Sequence, residues 1–505
     1  MVNYAWYPAL TACRLPLCAY RLPPGTYCYK NDLRLPVLPS AKPMNKKALI
    51  IFLTILLSAV LAAAGIYAAV RLSRRTPAGP DATPSPSGDY SYLSRLDDFS
   101  CVTVTCGADP MTSVNITWQT FRDELSECVL EYNTKGGDGK AAAPVSEKTT
   151  FQIPMDGQFD YKNPSLREVS GVVHRVYLTD LEPGAEYTYR ITSGDVSSDA
   201  FSFTTASAGE EFSFLLVSDM QGFTQRDFDV WGSTAALMTR AFPDYDFIVN
   251  LGDQVEEGKN QYQWQMLFKA AGSVIPNSTV IDVPGNKDKK YAMLHFTNGA
   301  EDDRTALVSG YYSFNWGKVH FAVLNTGDGD KDIPKAQLKW LRRDLEAATG
   351  YHKIILIHKA PYSDANHCND EEILAIREQV MPVAGEYGVT AVLEGHDHYY
   401  FRSIPVTADG AAADHTGSSI SLKDRTTKMF KINGSGTVYF MNGAAGTKQH
   451  DKEILPQEDV LSDRSELMTC PSFSYVSVDS EKIVFMTWCN NNGSLKFFDS
   501  WGVYF

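Results

Sequence analysis

Five apolar runs in residues 207–505 each stop at a residue able to hold a metal ion, and no other feature constrains the fold as tightly. "FSFLLV" ends in Ser-Asp219-Met-Gln221, and "FIVNL" in Gly-Asp253-Gln-Val-Glu256. "TVIDV" ends in Pro-Gly-Asn286-Lys287-Asp288. "KIILI" ends in His358-Lys-Ala-Pro-Tyr362, and "VTAVLE" in Gly-His396-Asp-His398-Tyr. Apolar runs without alternation read as strands covered on both faces. In open α/β sheets, ligands bind beyond the carboxyl ends of such strands. "IPKAQLKWLRRDLEAA" reads as an intervening helix, with Pro334 near its start and Leu338, Leu341 and Leu345 on one side.

Singly, these residues say little, because Gly-Asp after a strand is commonly a turn and a lone His commonly structural. His-x-His says more, since an extended segment puts both imidazoles on one side. Together Asp, Asp, Asn and three His form a mixed nitrogen and oxygen set. That set suits Fe, Mn, Zn or Ni better than Ca or Mg. It suffices for two ions only if one carboxylate bridges them.

The 505 residues allow two or three domains, and a 44% hydrophobic content supplies a core. The formal charge is −14, unevenly spread. Residues 1–75 hold ten Lys/Arg and one Asp, which leaves 36 basic and 59 acidic residues in the rest, a net of −23. Nucleic-acid binding, which needs a basic face, is not expected.

Residues 48–70, "ALIIFLTILLSAVLAAAGIYAAV", are uncharged and long enough to span a bilayer. Seven Lys/Arg in residues 1–47 favour a cytoplasmic N-terminus. The expectation is a signal anchor over 44–75, a single-pass membrane protein with its catalytic part outside. A cleaved signal peptide with "LAAAG" as the processing site is the alternative. Met44-Asn-Lys-Lys reads as the natural start, with residues 1–43 an upstream extension without a folded role. Residues 76–95 are a Pro/Ser-rich spacer. Six cysteines follow, at 101, 106, 128, 368, 470 and 489, and an even number in an exported chain suggests disulfides.

Residues 96–206 carry short alternating runs. In "SVNITWQT" Val114, Ile116 and Trp118 share a face, and "CVLEYN", "HRVYLTDL", "AEYTYRIT" and "DAFSFTT" keep the same period. They predict a β-sandwich. "DPMTSVNITWQT" and "VHRVYLTDLEPGAEYTYRIT" resemble the fibronectin type III-like domain that precedes the catalytic domain of purple acid phosphatases. No catalytic residue type clusters there, and support or positioning is its expected role.

Asp219, Gly252-Asp253, Gly285-Asn286, His358 and Gly395-His396-Asp397-His398, over residues 207–505, resemble the calcineurin-like metallophosphoesterases. With the sandwich ahead of them, the chain resembles a bacterial purple acid phosphatase-type member. The resemblance implies an α/β domain of two mixed sheets flanked by helices, with "GYYSFNWGKVHFAVLNT" (310–326) a hairpin of the second sheet. It also implies a two-metal centre, with Asp253 bridging. Asp219 and His398 hold the first ion, and Asn286, His358 and His396 the second. The family places a His where this chain has Gln221. Purple acid phosphatases place an iron-binding Tyr where it has Glu256. A colourless enzyme follows, with either Gln221 or Glu256 completing the first site.

The implied activity is hydrolysis of phosphate esters. Two cations polarise the phosphate and lower the pKa of bound water to about 7. The family's Gly-Asn-His motif is altered at Lys287, whose reference pKa of about 10.4 suits charge stabilisation better than proton donation. Lys287 and Asp288 are the candidate catalytic residues, with Asp288 alternatively pairing with the lysine at the surface. "YSDANHCNDEEIL" (362–374) and "TADGAAADHTGSSISLKDRT" (407–426) are expected to frame the pocket, with His367 and His415 solvated. The alternatives are a nucleotidase or phosphodiesterase of the same fold, or a catalytically weakened metal-binding surface module.

Overall fold

The computed structural model of the protein describes residues 94–125, 127–134, 136–327, 333–422, 425–449 and 461–505. The expected anchor, the upstream extension and most of the spacer lie outside the described residues. Among the described residues, no helix is long and apolar enough to cross a membrane.

The alternating runs form nine strands: β1 (Ser100–Cys106), β2 (Val114–Thr120), β3 (Val129–Thr134), β4 (Lys140–Ala142), β5 (Val145–Pro154), β6 (Leu166–Leu178), β7 (Glu186–Ser193), β8 (Val196–Ser197) and β9 (Phe201–Thr204). β1, β2, β6 and β5 make one face of a sandwich; β4, β3, β7 and β8 make the other, with β9 paired to β7. Val104, Ile116 and Trp118 meet Leu130, Tyr189, Ile191 and Phe203 between them. The inward set of β2 is the expected one. Its outward residues Asn115, Thr117 and Gln119 are buried as well, which alternation alone does not indicate. They are hydrogen-bonded to residues 294–299. The Asn115 amide donates to the carbonyls of Thr297 (2.9 Å) and Gly299 (2.8 Å), and Gln119 donates to that of Leu294 (2.8 Å). A buried polar face is stable only when paired in this way.

The later elements are β10 (Phe212–Val217), α1 (Gln225–Ala241), β11 (Phe247–Asn250), α2 (Gln261–Ala271), β12 (Thr279–Asp282), β13 (Tyr312–Trp316), β14 (Val319–Val323), α3 (Lys335–Ala347), β15 (His352–Leu356), α4 (Glu371–Glu386), β16 (Val389–Glu394), β17 (Tyr400–Ser403), β18 (His415–Leu422), β19 (Arg425–Ile432), β20 (Val438–Asn442), β21 (Ser462–Glu466), β22 (Ser472–Val478), β23 (Lys482–Asn491) and β24 (Ser494–Tyr504). They build two mixed sheets, and the expected hairpin is β13–β14, antiparallel at the edge of the second. Phe214, Leu216, Phe247 and Val249 of the first sheet face Phe321, Val323, Ile354 and Leu393 of the second. Their neighbours Leu215, Val217 and Ile248 turn outward under Phe228, Trp231 and Leu267 of α1 and α2. Leu341 and Leu345 of α3 and Ile376 of α4 cover Ile355 and Val392 of the other sheet. Each strand is therefore buried on both faces, which is why its sequence does not alternate.

The first sheet does not end with its own domain. β1 of the sandwich pairs in parallel with β12, Val104 opposite Thr279 and Thr105 opposite Val280, so twelve strands run in one sheet. β12 would otherwise present an edge of unpaired N–H and C=O groups.

Two expectations are corrected here. The six cysteines are free thiols, five of them buried: 101, 106 and 128 in or beside sandwich strands, 368 in the loop before α4, and 489 in β23. The 407–426 segment does not frame the site. It builds the β18–β19 hairpin at the far end of the twelve-stranded sheet, where His415 Nδ1 bonds to the Ala413 carbonyl (2.8 Å).

Candidate metal centre

Parallel register brings the first three ligand-bearing loops level. β10 pairs with β11 (Val217 opposite Asn250), and β11 with β12 (Asn250 opposite Asp282). Asp219, Asp253 and Asn286 follow within four residues of those positions. β15 and β16 of the facing sheet deliver His358 and His396 from the other side. The turns are tight. Gly252 sits at φ +97°, and a Cβ on Gly285 would lie 2.1 Å from the Asp253 nitrogen. Asp219, Asp253, His396 and His398 all hold positive φ, between 51° and 78°. Non-glycine residues rarely adopt this region, and such strain concentrates at functional sites.

Two donor groups result, with Asp253 common to both. One is Asp253, His358 and His396; the other is Asp219, Asp253 and His398. Asn286 Oδ1 lies 3.0 Å from both His358 Nε2 and His396 Nδ1, and Asp253 Oδ1 lies 3.3 Å from His358 Nε2. Asp219 Oδ1 is 3.4 Å from His398 Nε2. Donors bonded to one metal ion at about 2.1 Å stand about 3.0–3.4 Å apart, so these spacings fit a transition metal in each group. Gln221 completes the second group. With its amide nitrogen donating to the carbonyls of Asp219 (3.2 Å) and Asp253 (2.9 Å), its oxygen stands 3.1 Å from His398 Nε2.

The histidines are pre-set. His358 Nδ1 donates to the Leu251 carbonyl (2.8 Å) and His398 Nδ1 to the Lys448 carbonyl (2.9 Å). A carbonyl only accepts, so each ring is oriented with its Nε2 facing the site. Burial pushes the Asp219 carboxyl up to about 7. Burial also opposes ionisation of Asp253, but His358 and His396 outweigh it and hold that carboxyl low. Burial opposes the charge on His358 too, yet Asp253 and Asp219 push it up to about 9. Two buried carboxylates with so little solvent call for positive charge between them.

Known proteins resemble the chain over both parts. Residues 100–205 match the family described as "Purple acid Phosphatase, N-terminal domain", and residues 212–400 match "Calcineurin-like phosphoesterase". Residues 212–400, which hold every donor of the two groups, therefore carry a calcineurin-like phosphoesterase domain. Acid phosphatase type 7 of Danio rerio is 23% identical over 68% of this chain and 78% of its own length. The Homo sapiens counterpart is 22% identical over 67% and 76%. A purple acid phosphatase from yellow lupin (Lupinus luteus) seeds shares the fold, with a TM-score of 0.63 at 16% identity, covering 80% of this chain and 74% of that one.

In this domain the donor groups open into a pocket of about 400 Å³, lined on its rim by Lys287, His367, Asp370, Glu372 and Lys448. Lys287 stands at the mouth, and its backbone N–H donates to Asp253 Oδ1 (2.8 Å). Asp288 is not in the pocket. It is fully buried beneath it, and its carboxylate accepts from the backbone N–H groups of Gln254 (2.9 Å), Val255 (3.1 Å) and Gly285 (3.2 Å). It clamps the Asp253 and Asn286 loops together, so neither the catalytic role nor the surface ion pair expected of it applies. Glu256 pairs with Lys448 (2.6 Å), away from both donor groups.

His367, expected to be solvated in a segment that frames the pocket, is partly exposed at the pocket rim. Its ring lies 4.8 Å from that of His396, and its Nδ1 is 2.7 Å from Asp370 Oδ2. Two devices hold its loop. Ser363 Oγ donates to Asp397 Oδ2 (2.8 Å), and Arg377 of α4 donates to the carbonyls of Pro361 (2.6 Å) and Cys368 (3.2 Å), one on each side of His367. The available signal was position: His367 lies nine residues beyond His358, in the stretch expected to frame the pocket.

Proposed function

We propose that this chain hydrolyses phosphate esters with two transition-metal ions, Fe, Mn or Zn, held by Asp219, Gln221, Asp253 and His398 on one side and Asp253, Asn286, His358 and His396 on the other. The sharing of Asp253 between two donor groups carries this reading. When bound, the ions polarise the phosphoryl group and supply an acidic water as nucleophile. The chain's own residues do the rest. Asp253 is aligned by the Lys287 N–H, and His358 and His398 by main-chain carbonyls. Lys287 sets a fixed positive charge at the mouth, where phosphate oxygens gather. In this reading His367, backed by Asp370, gives a proton to the departing oxygen, a task that imidazoles commonly perform.

Anchoring by residues 48–70, with the catalytic part outside the cell and the spacer between, belongs to the same proposal. The apolar run and the basic residues before it support it, and release by signal cleavage is its alternative. Membrane fractionation of the full chain checks it.

The function is tested with p-nitrophenyl phosphate and bis-p-nitrophenyl phosphate in the presence of Mn, Fe or Zn. Turnover of at least one ester is expected, with loss of both turnover and bound metal in Asp253→Asn. Two metals bound per chain with no turnover of either ester would overturn it.

A further inference from the structure

We propose that the substrate carries a second phosphate group, held by Lys287, Lys289 and Lys290, so that its class is a linear oligophosphate. This rests on the phosphoesterase reading above and names the substrate of that site. Beside Asn286 and Lys287 the pocket continues into a second hollow of about 560 Å³, lined by Glu256, Glu257, Lys259, Lys289, Lys290 and Tyr291. Its carboxylates are already neutralised, Glu256 by Lys448 (2.6 Å) and Glu257 by Lys259 (2.9 Å). Among the described residues, Lys287, Lys289 and Lys290 form no ion pair. Three uncompensated cations within four residues stand out in a chain of net charge −14.

The loop that carries them is built, not slack. Asp288 anchors it from beneath through three backbone N–H groups, and the Lys289 N–H donates to the Gly285 carbonyl (2.9 Å). Lys289 itself sits at φ +52°. A non-glycine residue there is strained and persists only where its surroundings hold it. The opposite rim is different in kind: its acids Asp370 and Glu372 pair with His367 and Lys359. The excess positive charge therefore lies on one side only.

The phosphate on the metals needs no such excess, but a second phosphate does. Lysines are point charges that tolerate many oxygen geometries, as a flexible phosphate chain requires. The replacement of an imidazole by Lys287 then has a chemical reason. Water adds its oxygen to the terminal phosphorus and the bridging P–O bond breaks. The electron pair leaves on the shortened oligophosphate, and the water protons pass to the products and buffer. A departing phosphate is weakly basic, so nearby positive charge serves it where an alkoxide needs a proton.

Tripolyphosphate and p-nitrophenyl phosphate are compared as substrates of the metal-loaded full chain, in wild type, Lys289→Ala/Lys290→Ala and Lys289→Arg/Lys290→Arg. The ratio of kcat/KM for tripolyphosphate to that for p-nitrophenyl phosphate should fall at least tenfold in the alanine pair and hold in the arginine pair. By titration calorimetry, methylenediphosphonate should bind wild type at least tenfold tighter than methylphosphonate, and that advantage should vanish in the alanine pair. An unchanged ratio or an equal loss on both substrates overturns the proposal, as does equal affinity for the two phosphonates. If neither substrate is turned over, the phosphoesterase reading fails, and the calorimetry still decides whether the lysines hold a second phosphate.

Discussion

In the proposed function His367 and Lys287 divide two tasks between them, giving a proton and balancing phosphate charge. The division predicts a dependence on leaving group. His367→Ala should lower kcat for an alkyl phosphate by about 10²–10⁴, the usual worth of general acid catalysis. It should change p-nitrophenyl phosphate hydrolysis much less, because p-nitrophenolate leaves without a proton. Equal losses on both would assign His367 to binding. Asp288 shows the opposite lesson. Its neighbour Lys287 faces the pocket, yet Asp288 is fully buried, and burial, reinforced by Asp253, pushes its carboxyl up to about 7. One step along the chain separates a rim residue from a structural clamp, and sequence adjacency cannot tell them apart.

Among the elements, α4 reaches the chemistry indirectly. Arg377 bonds two carbonyls that flank His367, and both would be left unpaired without it. Arg377→Met should cost about 1–3 kcal/mol in stability for the carbonyls left bare. It should also lower kcat and shift the alkaline limb of its pH profile, the limb that a general acid controls, while metal content stays the same. Arg377→Lys should not restore the profile, since an ammonium cannot span both carbonyls with a planar fork. A stability loss with an unmoved pH profile would make the contact merely structural. The strands themselves were legible. Unalternating runs ending in Asp219, Asp253, Asn286, His358 and His396 read correctly as doubly covered strands, because burial on both faces removes the polar alternate. The 407–426 stretch was not legible. Its Gly-, Ser- and Thr-rich composition gives a loop reading, whereas pairing of β19 to β24 holds it as a hairpin.

For the whole molecule, the sandwich is part of the catalytic sheet. Thr103 donates to the His295 carbonyl (2.7 Å) and Gln119 to that of Leu294, so β1 and β2 grip the segment just beyond the lysine loop. An acid-sensitive group lies in the sandwich itself. His174 of β6 stacks on Trp118 (5.2 Å) and meets Ser146 (2.8 Å) and Thr120 (2.9 Å), and burial lowers its pKa to about 4. The neutral ring is the stable form in the fold, and an unfolded chain binds its proton at about 6.5. Its contribution is therefore complete above pH ~6.5 and is lost as pH falls toward 4. The melting temperature should drop across that window, and less steeply in His174→Gln; identical slopes would mean that the ring is not the sensor. The sequence by itself determined the strand ends and the order of the candidate donors behind them, because hydrophobic runs and potential metal donors are written locally. Only the tertiary structure decided which neighbours of those ligands face the pocket, that His367 joins them, and that β1 closes the edge of β12. Those outcomes depend on pairings between residues well separated in the chain, from Ser363 with Asp397 to Thr103 with His295, and no local pattern records them.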